Sequence, residues 1–144
     1  MAYIVKEKFN IFDLVPEAGG GKSVIVAEPE WYLAKMYQKH LLSNGFKVRL
    51  AGEPYEIHGL LRAAPTNAVL LNIEMYEHSN AASQHIAHIM ENFPGVIIVT
   101  VGFDTAGEDL KKYMSAGIGS HMNRKMSKPG DVVHIFKTLL QNNI

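Results

Sequence analysis

The chain has 144 residues, which is enough for one domain with a substantial core and too few for two. Its 14 Lys and Arg residues balance its 14 Asp and Glu residues, so no strong field attracts nucleic acid or an anionic membrane. The lack of cysteine excludes disulfides, thiolate catalysis and sulfur-ligated metals. No apolar run approaches the roughly 20 residues that span a bilayer, and the N-terminus lacks the pattern of a secretory signal. We therefore expect a cytoplasmic protein that binds neither nucleic acid nor membrane.

The first 21 residues are expected to form an N-terminal arm, and residues 22–144 the domain itself. The boundary is the sequence AGGG at 18–21, which is typical of a flexible hinge. The apolar side chains that would share one face of a short helix in the arm are Val5, Phe9 and Phe12. Two interpretations of the arm stay open. It folds back onto the domain, or it docks on a partner or on a second copy, as in a homodimer.

Beyond the hinge, strand patterns alternate with helix patterns five times. Strands are predicted at 24–26, 47–50, 68–71, 96–99 and 120–123. Apolar stripes and capping signals predict helices at 29–43, 57–64, 86–90, 105–115 and 132–140. The fourth helix should begin at a capping box formed by Thr105 and Glu108. Five βα units in succession imply an α/β fold, with a doubly wound parallel sheet covered by helices on both faces.

The functional edge of such a sheet is formed by the carboxyl ends of its strands. The residues that follow the predicted strands are Ala27 and Glu28, Asn72 to Glu74, Thr100 to Gly102, and Asn123 to Lys125. We expect any site that the fold builds to draw its side chains from these four short segments.

From about Lys22 to Asn143 the chain resembles the receiver (CheY-like) domain of two-component response regulators. The segments that carry the resemblance are VIVAEPE at 24–30, LLNIEM at 70–75, IVTVG at 98–102 and AGIGSH at 116–121. They are similar, in this order, to the strand with the acidic pair, the strand with the phospho-acceptor, the strand with the hydroxyl residue and the stretch before the lysine strand. The resemblance implies a five-stranded flavodoxin-like sheet of order 2-1-3-4-5 and a role in signal transduction or a phosphorelay.

The resemblance also implies a phosphoryl-transfer pocket whose parts are replaced here. In receivers three carboxylates bind Mg²⁺, one of them accepts the phosphoryl group, a lysine neutralises it and a hydroxyl senses it. The corresponding pocket here consists of Ala27, Glu28, Asn72, Glu74, Thr100, Arg124 and Lys125. Ala27 offers no metal ligand, and the Asn72 carboxamide is a poor nucleophile that cannot form an acyl phosphate. We therefore expect a degenerate pseudo-receiver without catalysis, metal or cofactor, which acts by protein–protein interaction with signalling partners.

Further expectations concern the use of this altered pocket. Glu28 and Arg124 either close it as an ion pair or both point to solvent. Thr100 and His121 are the switch-like positions, because His121 replaces the aromatic residue that swings in receivers. His121 is either a pH-sensitive rotor or an ordinary half-exposed histidine. The resemblance also implies an interaction face, for which the candidate residues are Lys111, Lys112, Tyr113, His121 and His134.

Two weaker patterns leave alternatives open. His85 and His88, with His78 upstream, have a spacing compatible with a metal site but no supporting carboxylate or cysteine. Trp31 and Tyr32 open the first helix. We expect at least one of them in the core rather than in an exposed contact patch.

Two other functions remain compatible with the sequence. One is an atypical receiver that responds to a small ligand, or to unorthodox phosphorylation of Glu28 or Glu74 by acetyl-type donors. The other is an enzyme on a similar sheet, because this architecture supports many chemistries. Strong Mg²⁺ binding would favour the first function, and a deep pocket with convergent polar groups would favour the second.

Overall fold

The computed structural model describes residues 19–141. Its strands are β1 (Ser23–Ala27), β2 (Lys47–Ala51), β3 (Ala68–Asn72), β4 (Ile97–Gly102) and β5 (Ser120–Asn123). Its helices are α1 (Trp31–Ser43), α2 (Glu56–Ala63), α3 (Ser79–Asn92), α4 (Gly107–Ala116) and α5 (Asp131–Gln141), and a 3₁₀ turn, Ile73–Met75, follows β3. None of these helices is long and apolar enough to cross a membrane. The strands pair in parallel in the order β2-β1-β3-β4-β5, which confirms the predicted flavodoxin-like sheet.

The position of each strand in the sheet follows from its side chains. β3 is buried at all five positions and β1 at four of five, as expected for central parallel strands that helices cover on both faces. β2 lies at one edge, and its Lys47 is exposed. The Arg49 guanidinium of β2 donates to the Leu60 carbonyl oxygen at 2.6 Å and to the Thr66 hydroxyl at 2.5 Å. These hydrogen bonds tie the edge strand to α2 and to the loop after it.

The core consists of two layers, one on each face of the sheet. α1 and α5 cover one face, where Tyr37 and Phe136 are among the largest buried side chains. α2, α3 and α4 cover the other face, and there Ile57 and Ile86 are fully buried. Because the helices occupy the two faces, side chains from several βα units meet in the loops at the carboxyl ends of the strands.

The start of α1 corrects one sequence prediction. Trp31 and Tyr32 are 69% and 73% exposed, so the expectation that at least one of them belongs to the core was wrong. The buried stripe of α1 includes Leu33, Tyr37 and Leu41, which recur every four residues and therefore share one side of the helix. The two aromatic residues precede this stripe in the first turn and lie outside it.

The start of α4 corrects another prediction. Its N-cap residue is Ala106, whose side chain makes no capping hydrogen bond, and its first helical residue is Gly107. The capping-box prediction was wrong because the Thr105 hydroxyl is buried next to Gly102 without a hydrogen-bond partner in the described structure. The helix ends at Gly117, which has a φ of 118°, a conformation that glycine adopts without a steric penalty.

The described part of the chain begins with glycines that pack closely on the domain. Gly19 is buried, and a Cβ there would lie 2.5 Å from the carbonyl carbon of Gly45, so a side chain does not fit. The N–H of Gly21 donates to the Gly45 carbonyl oxygen at 2.9 Å. Residues 1–18 lie outside the described residues, so the arm and its division from the domain stay predictions.

Candidate functional site

Three polar or charged side chains are buried within residues 19–141, and all three lie toward the carboxyl ends of central strands. They are Glu28, Asn72 and Thr100, which are 3%, 2% and 0% exposed. The parallel register pairs Ala27 with Leu71, and Leu71 with Thr100. The ends of β1, β3 and β4 therefore meet at one edge, and their polar side chains form one candidate site.

Hydrogen-bond donors rather than a cation hold the carboxylate of Glu28. Asn72 Nδ2 donates to Glu28 Oε1 at 2.8 Å, and the Glu30 N–H donates to Glu28 Oε2 at 3.0 Å. Burial raises the pKa of Glu28, while these two hydrogen bonds and the charge of Arg124 act against the rise. Glu28 does not point to solvent. Since no ion pair joins it to Arg124 in the part of the chain that the structure describes, neither predicted arrangement of this pair is found.

Asn72 extends the hydrogen bonding to two more loops. Its Oδ1 accepts from the Glu74 N–H at 2.8 Å, and Glu74 Oε2 accepts from the Phe103 N–H at 2.9 Å. These bonds connect Glu30, Glu28, Asn72, Glu74 and Phe103, and so link the loops after β1, β3 and β4; we call them the edge network. A carboxamide suits its centre because it donates and accepts at once. A carboxylate there would only accept, and it would repel Glu28.

Close packing accompanies the edge network at the end of β4. A Cβ on Gly102 would lie 2.8 Å from Cδ1 of Ile73 and 2.5 Å from Oγ1 of Thr105. The absence of a side chain on Gly102 therefore allows the loops after β3 and β4 to close on each other. Sequence reasoning placed Ile73 and Gly102 at this edge but did not predict their close approach or that of Thr105, because it depends on the conformation of the two loops.

Thr100 and His121 contact each other between β4 and β5. The Thr100 hydroxyl and the His121 Nδ1 share a hydrogen bond of 2.8 Å. The His121 Nε2 is buried without a partner in the described structure, and burial lowers the pKa of this ring. Burial therefore favours the neutral form of this ring. Its rotation with pH stays a hypothesis.

The residues proposed for an interaction face do not share one surface. Tyr113 is 2% exposed and belongs to the core, so its assignment to that face was wrong. Lys111 and Lys112 line the groove between α3 and α4, where Lys112 Nζ donates to the Ser79 hydroxyl at 3.0 Å. His134 is exposed on α5. The two lysines thus lie on the side of α4 that faces α3 rather than β5.

The side of α4 that faces β5 carries apolar residues. A cavity of about 240 Å³ is lined there by Leu110, Met114, Ile118, Gly119, Ser120 and His121. We call it the α4–β5 notch. Met114 is 62% exposed. Leu110 and Met114 are four residues apart and therefore neighbours on the helix, a signal that the charged residues between them obscured in the sequence.

The histidines considered as metal ligands separate in the structure. His78 Nδ1 accepts from the Ala81 N–H at 3.1 Å and caps α3. His85 and His88 instead meet His58 of α2, with ring centroids 6.3 and 4.7 Å from the centroid of His58. No group of three His, Cys, Asp or Glu side chains that could hold a metal ion occurs within residues 19–141. Sequence reasoning missed His58, because its contact with α3 is a tertiary one.

No protein-family model and no curated protein matches this chain, but solved structures do. A response regulator from Thermotoga maritima has a TM-score of 0.76 at 16% identity, over 84% of this chain and 98% of that chain. A CheY-like receiver domain protein from Methanospirillum hungatei JF-1 has a TM-score of 0.76 at 16% identity, over 85% and 95%. The BeF3-activated receiver domain of DrrB, a Thermotoga maritima protein, has a TM-score of 0.71 at 16% identity, over 84% and 98%. At these identities the likeness shows the fold: this chain has the fold of CheY-like response-regulator receiver domains.

Proposed function

We propose that this chain is a receiver-like signalling module that acts by binding another protein and does not depend on its own phosphorylation. The edge network carries the proposal. Asn72 stands at the end of β3, where the receiver resemblance places the phospho-acceptor, and its carboxamide is engaged by Glu28 on one side and Glu74 on the other. Such a module would serve a signalling partner in the cytoplasm and would need no catalysis, metal or cofactor.

The remaining groups at this edge do not replace the missing chemistry. Phosphoryl transfer requires a nucleophile and fixed positive charge, which in receivers includes Mg²⁺ bound by oxygen ligands. Ala27 provides no ligand, and both carboxylate oxygens of Glu28 accept hydrogen bonds. Glu74 is exposed, but its Oε2 accepts from the Phe103 N–H. The other oxygen of Glu74 would provide a single ligand, whereas a Mg²⁺ site needs several oxygen ligands.

The α4–β5 notch is the surface that we propose for the partner. Its apolar lining and exposed Met114 suit an apolar side chain of another protein, since methionine adapts its shape to a ligand. The notch includes His121, which bonds Thr100 at the candidate site. A partner bound in the notch would therefore contact His121, which connects the notch to the buried Thr100.

A substitution on each side of α4 tests this surface. Met114→Glu places a charge in the notch and should weaken partner binding by tenfold or more, because a buried unpaired charge is costly. The control is Lys111→Glu, which places the same charge on the side that faces α3. A photocrosslinking side chain is placed at residue 118 in each variant, and the yield of adducts that it forms in cells is measured. Equal adduct yields in both variants would show that the partner binds elsewhere.

Amide NMR titration tests the independence from phosphorylation. We expect no change near Glu28, Asn72, Thr100 and Arg124 on addition of Mg²⁺ followed by beryllofluoride, which imitates a phosphoryl group. The DrrB receiver domain, which beryllofluoride activates, is the positive control under the same conditions. Saturable shifts confined to those four residues would contradict the proposal and favour the atypical receiver.

A further inference from the structure

Three histidine rings meet where α2 lies against α3. The His58 ring of α2 contacts the His88 ring edge-on at a centroid distance of 4.7 Å. The Phe93 ring also contacts His58, at a centroid distance of 5.6 Å. The His85 ring is 6.3 Å from His58. We call the set His58, His85 and His88 the histidine seam. It lies on the face of the sheet covered by α2, α3 and α4, and none of its residues belongs to the edge network.

His58 is unusual because both of its ring nitrogens are buried without a hydrogen-bond partner in the described structure. A neutral imidazole in this position leaves one N–H and one lone pair unsatisfied. A protonated imidazole would leave two N–H groups and a full charge unsatisfied, which costs considerably more. The packing therefore accepts the neutral ring and opposes the charged one.

The groups around the seam strengthen this preference. Burial is the largest cause that lowers the pKa of His58. The charges of His88 of α3 and Arg62 of α2 lower it further. Burial, followed by His58 and His88, lowers the pKa of His85. The Tyr76 hydroxyl pairs with His85 Nδ1, and burial raises the pKa of Tyr76, so this hydroxyl keeps its proton. No carboxylate in the described residues acts on the pKa of His58 or His85 to offset these effects.

We propose that the histidine seam is an acid-sensitive latch, which holds α2 against α3 while its rings are neutral and releases α2 when they are protonated. This inference does not rest on the proposed function, because the seam shares no residue with the edge network or with the α4–β5 notch. The ligand of the latch is the proton. Acidification would loosen α2 and with it the edge strand β2, which Arg49 ties to the Leu60 carbonyl of α2.

The direction of the pH effect follows from linkage. A histidine whose folded pKa lies below its unfolded value of about 6.5 binds more protons when α2 is released than when it is docked. Its contribution to stability is therefore fully present above pH 6.5 and is lost as the pH falls from there toward the folded pKa. Each proton taken up on release can change the opening equilibrium by at most about tenfold per pH unit.

Amide hydrogen exchange of the full chain at pH 7.5 and pH 5.5 tests the latch. After correction for intrinsic exchange rates, we expect the opening of α2 to increase by about tenfold at pH 5.5, while α5 on the opposite face of the sheet changes less than twofold. In the His58→Phe variant, which keeps an aromatic ring that cannot be protonated, the increase in α2 should be much smaller, because His85 alone of the two buried rings can then respond. The control His134→Gln alters an exposed histidine of α5 and should retain it.

Two results of this experiment would overturn the latch. An equal response of α2 in the wild type and in His58→Phe would overturn the proposal, as would full protection of α2 at pH 5.5 in the wild type. If His58→Phe does not fold, the decision passes to His88→Gln, which removes one of the like charges beside His58. That variant should reduce the response of α2 at least threefold, and an unchanged response would overturn the latch.

Discussion

The edge network and the histidine seam both bury polar groups, but they treat them in opposite ways. In the edge network, Glu28 and Asn72 find partners for the atoms that they bury. In the seam, both nitrogens of His58 are buried without partners in the described structure. Satisfied buried groups fix one arrangement of a site, while an unsatisfied titratable group leaves an energetic cost that a proton can increase. The difference indicates that the edge network holds one arrangement, and it places the proposed pH response in the histidine seam instead.

The two regions also respond to pH in opposite directions. The pKa of Glu28 is raised above its ordinary value of 4.5, mainly by burial. The contribution of Glu28 to the stability of the fold is therefore present below pH 4.5, and it is lost as the pH rises through the folded pKa. The pKa of His58 is lowered from 6.5, again mainly by burial, so its contribution is lost as the pH falls below 6.5. A pH profile can therefore assign a change in stability to one region or to the other.

The largest expected effect comes from Asn72→Asp. This change removes the donor to Glu28 and places a second carboxylate beside it, so at pH 7.5 the free energy of unfolding should fall by about 3 kcal/mol. Urea denaturation measures the loss, which should shrink at pH 4.5 as the two carboxyl groups share a proton.

The matched control is Asn67→Asp. Asn67 uses its Oδ1 to accept from the Ser23 N–H at 2.8 Å, and an aspartate keeps that acceptor. We expect a loss below about 1 kcal/mol there. Equal losses at the two positions would show that the edge network contributes nothing specific, and the contrast between the two regions would disappear.

A smaller effect is expected from Glu28→Gln. The carboxamide keeps an acceptor for one of the two donors, Asn72 Nδ2 or the Glu30 N–H, and loses the other, which costs about 1 kcal/mol near pH 4.5. The deficit should narrow as the pH rises to 8, since the wild type alone must then bury an ionised carboxylate. Thermal unfolding across this pH range measures the difference, and a deficit that widens with pH would contradict the assigned direction of the Glu28 pKa.

The sequence was sufficient to predict the sheet, because its central strands are short apolar runs between clear turn signals. The run at 96–99 and the loop positions after each strand were sufficient to place Glu28, Asn72 and Thr100 at one edge. The hydrogen bond between Glu28 and Asn72 was not predicted, since it depends on side-chain rotamers rather than on spacing. Charge offered Arg124 as one possible partner of Glu28 and solvent as the alternative, but the buried carboxylate accepts from the Asn72 amide instead.

The residues that sequence reasoning misassigned or missed have different physical causes. Tyr113 follows two lysines on a ten-residue helix, and the resemblance to receivers suggested a surface there, but its ring belongs to the core. At least one of Trp31 and Tyr32 was expected to be buried, but both lie in the first turn of α1, outside its buried stripe, and are exposed. His58 gained its role from contact with another helix, which no local pattern in α2 could show.

The contact between Gly19 and Gly45 has a practical consequence for probes attached to this protein. Gly19 packs at the turn between α1 and β2, before the first residues of β1 and β2, and thus at the amino ends of the strands. The edge network lies at the opposite, carboxyl ends. A fluorescent reporter inserted ahead of Gly19 would therefore attach at the end of the sheet opposite the edge network.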